Sequence, residues 1–197
     1  MVFVFNGGEE DVNLENLLTQ KRSTIVKKWF NVVIETYPPE TAVFLKRQKD
    51  RFANPVGSVI FQGLEDIFGE LLQGIDYERV SIFLDNIIRI RAVQDFTPSQ
   101  ATSFIFLLKK VIREELEKEI RKNGLSEELL KLESRIDELA LLAFDIFIQC
   151  REKIYELKAM ELNNQTYSLL KRAKLIIDLE EQESCPKGDN SENLLKK

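Results

Sequence analysis

The stretch TPSQATSFIFLLKKVIREELEKEIRKNG, Thr97 to Gly124, decides the fold class. Thr97 reads as a helix N-cap, Pro98 as the first helical residue, and Gln100 as the side chain that reaches back to complete a capping box. Phe104, Ile105, Leu107, Leu108, Val111, Ile112 and Leu116 then recur at helical spacing, and Asn123-Gly124 suits a left-handed helix end. An amphipathic helix of this length needs other helices to cover its apolar face.

The flanking sequence supplies them. Upstream, a helix is expected from about Asn13 to Glu35 with Leu14, Leu17, Leu18, Ile25, Trp29 and Val32 or Val33 on one stripe, ending at Tyr37-Pro38-Pro39. A short helix opens at Pro39, and another at the cap-and-proline pair Asn54-Pro55, running through Ile60, Leu64, Ile67, Phe68 and Leu71 to Gly74. A fourth is expected from about Asp76 to Asp95. Downstream, Ser126-Glu127-Glu128 is expected to cap a long helix reaching at least Met160. Asn163-Asn164-Gln165-Thr166 then marks an interruption or one exposed polar turn. No alternating stretch suits a sheet. The expected architecture is all-α: a single domain of six or seven helices over 1–160, a helical extension over 161–180 and a disordered polar tail over 181–197.

Composition narrows the chemistry. The chain has 197 residues, 44% hydrophobic and 31% charged, which suits one folded helical domain. A net charge of -5 argues against nucleic acid as a partner. No window approaches the roughly 18 apolar residues of a membrane span, and no signal-peptide pattern opens the chain. Cys150 and Cys185 form neither a disulfide framework nor a CxxC pair, so the cytoplasm is the expected compartment. The chain contains no histidine. That removes Ser-His-Asp and Cys-His nucleophilic systems, histidine metal sites and histidine-ligated haem. Neither common glycine-rich phosphate loop occurs. Cys150 sits among Ile146, Phe147, Ile148 and Ile154 and reads as a small core hydrophobe. The acids Glu114, Glu115, Glu117, Glu119, Glu127 and Glu128 read as solvated faces, since a helical di-iron site needs Glu-x-x-His pairs. The expectation is therefore no catalytic residue, no metal and no cofactor.

Two charged clusters remain as ligand or interaction candidates. Lys49, Asp50, Arg51 and Asn54 precede a helix N-terminus, which favours anions. Arg89, Arg91, Gln94 and Asp95 end an otherwise apolar helix. Arg89 and Arg91 lie two apart and cannot share a face, so at least one points towards the protein or a partner. A buried arginine requires an acid or a ligand. The simplest expectation is internal ion pairs, Asp50 or Asp95 with these arginines, joining the basic segment to the Arg89 helix. The alternatives are an anion or small-ligand site and an interaction surface.

The same residues carry a resemblance. FLKRQKDRFANPVG over 44–57 and IIRIRAVQDFTPSQA over 87–101 look like the two signature stretches of the RsbRD N-terminal domain family, over roughly residues 14 to 155. The resemblance implies an input or sensor module of the kind that precedes STAS domains in stressosome co-antagonists. It also implies a fold similar to globins but without haem, with an irregular helical bundle as the alternative. This chain resembles the stand-alone members, which have no STAS domain. The expected function is thus a non-enzymatic sensory or regulatory domain acting through a protein partner of a signalling pathway. The alternative is a small-ligand or anion-binding module built on the 49–54 and 89–95 segments. A homodimer is expected along the sixth helix, where Ala143, Phe147, Cys150, Ile154 and Leu157 follow heptad spacing.

Cys150 and Met160 sit ten positions apart on one helix, a poor arrangement for axial ligation. Titration of the purified protein with haemin is expected to give no stoichiometric Soret shift; a defined one-to-one complex would contradict the reading.

Overall fold

The computed structural model describes residues 13–46, 52–94, 96–173 and 175. Among these there are six helices and no strand: α1 (Leu14–Ile34), α2 (Pro39–Lys46), α3 (Pro55–Gln73), α4 (Tyr77–Val93), α5 (Pro98–Asn123) and α6 (Ser126–Arg172). This all-α arrangement is compatible with the globin-like fold that the resemblance implies. The expected tail over 181–197, and Ile176 and Ile177 before it, lie outside the described residues.

Side-chain caps set the helix starts. Asn13, Asn54, Asp76 and Thr97 each accept a backbone N–H from the first turn of their helix. Thr97 and Gln100 form the capping box in both directions. Gly124 terminates α5 at φ 68°, a left-handed conformation that a side chain would strain. At α6, Ser126 is the first helical residue rather than the cap, and the Glu128 carboxylate accepts the Leu14 N–H at 2.8 Å, so it serves the start of α1. The polar run 163–166 does not interrupt α6.

The chain divides into two compact units, Met1–Glu152 and Lys153–Lys197. In the first, α3 lies against α4, α1 against α5 and α3, and the short α2 against α1 and α3. The apolar stripes supply the core: Ile25, Trp29, Phe30 and Val33 of α1, Ile60, Leu64 and Phe68 of α3, Leu84, Ile87 and Ile88 of α4, Phe104, Leu108 and Ile112 of α5, and Ile136 and Leu139 of α6. Each such burial contributes about 1.5–3 kcal/mol before the entropy of ordering is subtracted. The Trp29 indole N–H donates to the Phe104 carbonyl at 2.6 Å, satisfying a buried donor, and its ring stacks on that of Phe104.

Polar ties surround that core. Glu115 of α5 pairs with Lys21 and Lys28 of α1, and Glu119 with Lys21. The hydrogen bond from Lys28 holds the Glu115 carboxyl below its ordinary range, helped by Lys21. Arg113 and Lys109 of α5 reach Glu133 and Asp137 of α6 at 2.5 and 2.6 Å. These acids are structural partners, as the sequence reading has it for the Glu114–Glu119 run only in part, since Glu115 is clamped rather than freely solvated.

Ala143 and Phe147 of the expected dimer seam are buried within the first unit, and Cys150 and Ile154 are half-buried. Core packing therefore occupies the first half of that heptad run. In the second unit every described side chain from Tyr155 to Ala173 is exposed. No described helix is long and apolar enough to cross a membrane.

Asn54 is only 1% exposed and makes three hydrogen bonds, so Asn54→Ala is expected to cost about 3 kcal/mol in denaturant melts. Thr97→Ala, which removes an exposed cap, is expected to cost about 1 kcal/mol. Equal losses would show that burial of the cap carries no weight.

Candidate functional site

The candidate residues have different surroundings. Lys49, Asp50, Arg51 and Asp95 lie outside the described residues. Asn54 locks two helices: its Nδ2 donates to the Phe44 and Leu45 carbonyls at 3.1 and 2.8 Å, while its Oδ1 accepts the Gly57 N–H at 2.9 Å. Both ends of the amide are thereby used. Gly57 has no side chain because a Cβ there would meet the Leu45 carbonyl at 2.6 Å. Gln94 is the exposed C-cap of α4.

The two arginines separate as their spacing requires. Arg89 faces outward, its side chain 71% exposed, and pairs with Asp85 one turn earlier at 2.6 Å. Its partner is thus on its own helix, and that hydrogen bond raises its pKa. Arg91 continues the buried stripe Val80, Leu84, Ile87 and is wholly inside. Among the described residues it has no acidic partner. Its Nη1 donates to the Gln100 carbonyl at 3.0 Å and its Nη2 to the Thr36 hydroxyl at 3.1 Å. The rings of Tyr37, Phe96 and Phe104 surround its guanidinium carbon at 5.2, 5.0 and 5.1 Å. The cage thus joins the chain just after α1, the α4–α5 connection and the first turns of α5.

Energetically this is an unusual way to hold a charge. Moving a guanidinium out of water costs several kcal/mol. Cation–π contacts return up to about 2 kcal/mol each when desolvated, and two hydrogen bonds to neutral acceptors add less than a carboxylate would. Burial accordingly lowers the Arg91 pKa, with the neighbouring Tyr37 opposing the shift. Burial also raises the Tyr37 pKa, which keeps its hydroxyl protonated, while Arg91 opposes that change. Arg91 and Tyr37 lie within hydrogen-bonding reach of each other, although the geometry at Arg91 Nε and the Tyr37 hydroxyl is poorly aligned.

Elsewhere the chemistry is sparse. Cys150 is a free, half-buried thiol whose pKa burial pushes up, with Asp85 adding to the shift and Arg89 opposing it. It is less enclosed than a core hydrophobe. Among the described residues, no group of three or more Cys, Asp or Glu side chains is placed to hold a metal ion. A cleft of about 370 Å³ between α3 and α4, lined by Phe52, Val59, Asp66 and Phe83, includes none of the sequence candidates. Sequence reasoning missed Thr36, Tyr37, Phe96 and Phe104. The signal for Arg91 itself was present in the four, three, four spacing of Val80, Leu84, Ile87 and Arg91.

These features define an all-helical domain built around a caged cation. Comparison with protein families matches residues 23–162 to the RsbT co-antagonist protein rsbRD N-terminal domain. The chain belongs to that family. No curated protein and no solved structure compared with it gives a match.

Arg91→Ala should empty the cage and cost on the order of 3 kcal/mol in a denaturant melt. Arg89→Ala, which breaks one exposed pair, should leave the midpoint within experimental error. A large loss for Arg89→Ala would restore the interhelical ion pair expected from the sequence.

Proposed function

We propose that this chain is a non-enzymatic regulatory input domain of the cytoplasm that acts through a protein partner, and that it works as a homodimer joined along the C-terminal part of α6. The family supports the regulatory class, since its description names a co-antagonist protein. The observation that carries the association is an exposed apolar arc in the second unit. Tyr155, Ala159, Leu162, Thr166, Leu169 and Ala173 follow spacings of four, three, four, three and four, the register of a helix seam. Leu162 and Leu169 are 63% and 65% exposed. A stripe repeating in heptads is self-complementary, and pairing with a second copy would remove it from water.

A second reading, a small-ligand or anion-binding module, is favoured by one observation: the buried Arg91 charge has no acid among the described residues.

Light scattering of the full chain at tens of micromolar is expected to give the mass of a dimer. The double variant Leu162→Glu with Leu169→Glu should give a monomer with unchanged helical circular dichroism, and a chain cut after Leu157, which loses the end of α6, should also be monomeric. A wild-type protein that is monomeric under these conditions sinks the dimer.

A further inference from the structure

We infer that the exposed arc at the end of α6 pairs with the same arc of a second copy in antiparallel register, with the two-fold axis at the level of Asn164. This rests on the dimer proposed above and adds which end of each arc meets which.

Side-chain size alternates along the arc. Tyr155, Leu162 and Leu169 are large, whereas Ala159, Thr166 and Ala173, each following one of them, are small. All six are exposed, the three large ones at 56%, 63% and 65%. Ala173 keeps the helical pattern one residue past α6, its N–H donating to the Leu169 carbonyl at 2.9 Å. Two straight helices packed along such an arc share one separation, about 8–10 Å according to the side chains between them. A parallel pair in register would set every residue of the arc opposite its own copy. The Tyr and Leu layers would then hold the axes apart and leave voids at the Ala and Thr layers. Reversing one helix removes that conflict. Tyr155 then faces Ala173 of the second copy, Ala159 faces Leu169, and Leu162 faces Thr166. Every layer joins one large and one small side chain, and the two-fold symmetry makes each contact twice.

Charge placement fits the same axis. Residues close to a two-fold axis meet their own copies, and a charge there would repel itself. The stretch LNNQTYSLL, Leu162 to Leu170, has no charged residue in nine positions, and the axis falls within it. The polar run 163–166, which leaves α6 unbroken, thus lies where self-contact demands neutral side chains. One pair opposes the arrangement: Lys158 flanks Arg172 of the second copy, both exposed at the rim. Exposed like charges there weigh little against the packed layers, but they give the orientation a signature.

The test uses the full-length chain with Cys150→Ser and Cys185→Ser, carrying either Ala159→Cys or Leu169→Cys. Each variant alone, and an equimolar mixture, is equilibrated in glutathione buffer at tens of micromolar after light scattering has given its mass. Antiparallel pairing puts positions 159 and 169 in one layer and the two copies of 159 about 15 Å apart along the axis, beyond disulfide reach. The expected result is a crosslinked dimer in the mixture and none in either variant alone. A crosslink in Ala159→Cys alone, or a dimeric mixture that stays uncrosslinked, overturns the orientation and leaves the dimer standing. Monomers throughout, the wild type included, overturn both. Lys158→Glu in the otherwise native chain decides the case in which the cysteine variants weaken association. It replaces two repulsive contacts with attractive ones and should tighten the dimer about fivefold at low salt, less at high salt. A parallel pair would set position 158 against Asn163, so an unchanged Kd overturns the antiparallel register.

Discussion

The bond from the Trp29 indole to the Phe104 carbonyl sets the geometry on which the rest of the first unit depends. A buried donor left without an acceptor would cost about 1–3 kcal/mol, so α1 and α5 are held at the one rotation and offset that bring these two groups together. The stacked rings reinforce that setting. Phe104 is also one wall of the cage around Arg91, and Thr36 and Tyr37 follow directly from the end of α1. A small turn of α1 against α5 would therefore move two sides of the guanidinium at once. The cage is a by-product of the main helix contact rather than a separate construction.

Charge is distributed around this core in two ways. The interhelical pairs, such as Lys21 with Glu119 and Arg113 with Glu133, sit at the rim with at least one partner in reach of water, and pairs of that kind add modest stability. They select register between α1, α5 and α6, while burial supplies the favourable free energy. Arg91 is the opposite case. Its charge is shielded by rings instead of water, so its interactions are strong and its desolvation cost is large. Internal ion pairs were the simplest expectation for both arginines. The structure places one pair, Arg89 with Asp85, on the surface of a single helix; among the described residues the interior cation has neutral partners, and the expected acids Asp50 and Asp95 lie outside them.

Features governed by local chemistry were legible in the sequence. Asn54-Pro55, Thr97-Pro98-Ser99-Gln100 and Asn123-Gly124 mark helix ends because cap geometry depends on a few neighbouring residues. The inward direction of Arg91 was legible in part, since two arginines two positions apart cannot share a face. The cage was not, because Tyr37, Phe96 and Phe104 come from separate elements and meet only through packing. The first half of the seam expected on α6 is taken up by the core for a related reason. Heptad spacing recurs on more than one face of a long helix, and periodicity cannot say which residues the core has already used. Ala143 and Phe147 belong to the core, whereas Leu162 and Leu169 remain exposed. Ser126 was read as a cap from its type alone, yet the useful carboxylate is Glu128, and its client is another helix.

That last contact bears on how the chain is made. Leu14 stands at the start of α1, and the carboxylate that accepts its N–H is 114 residues further along. The Lys21 pairs with Glu115 and Glu119 and the Trp29 bond to Phe104 also join the beginning of the chain to segments made much later. At roughly 5–20 residues per second of synthesis, α1 emerges several seconds before any of these partners. An amphipathic helix with its apolar stripe uncovered for that interval is sticky, and a growing chain must keep it from other nascent proteins. The time taken to synthesise residues 35–128 therefore sets how long the first helix waits for shelter.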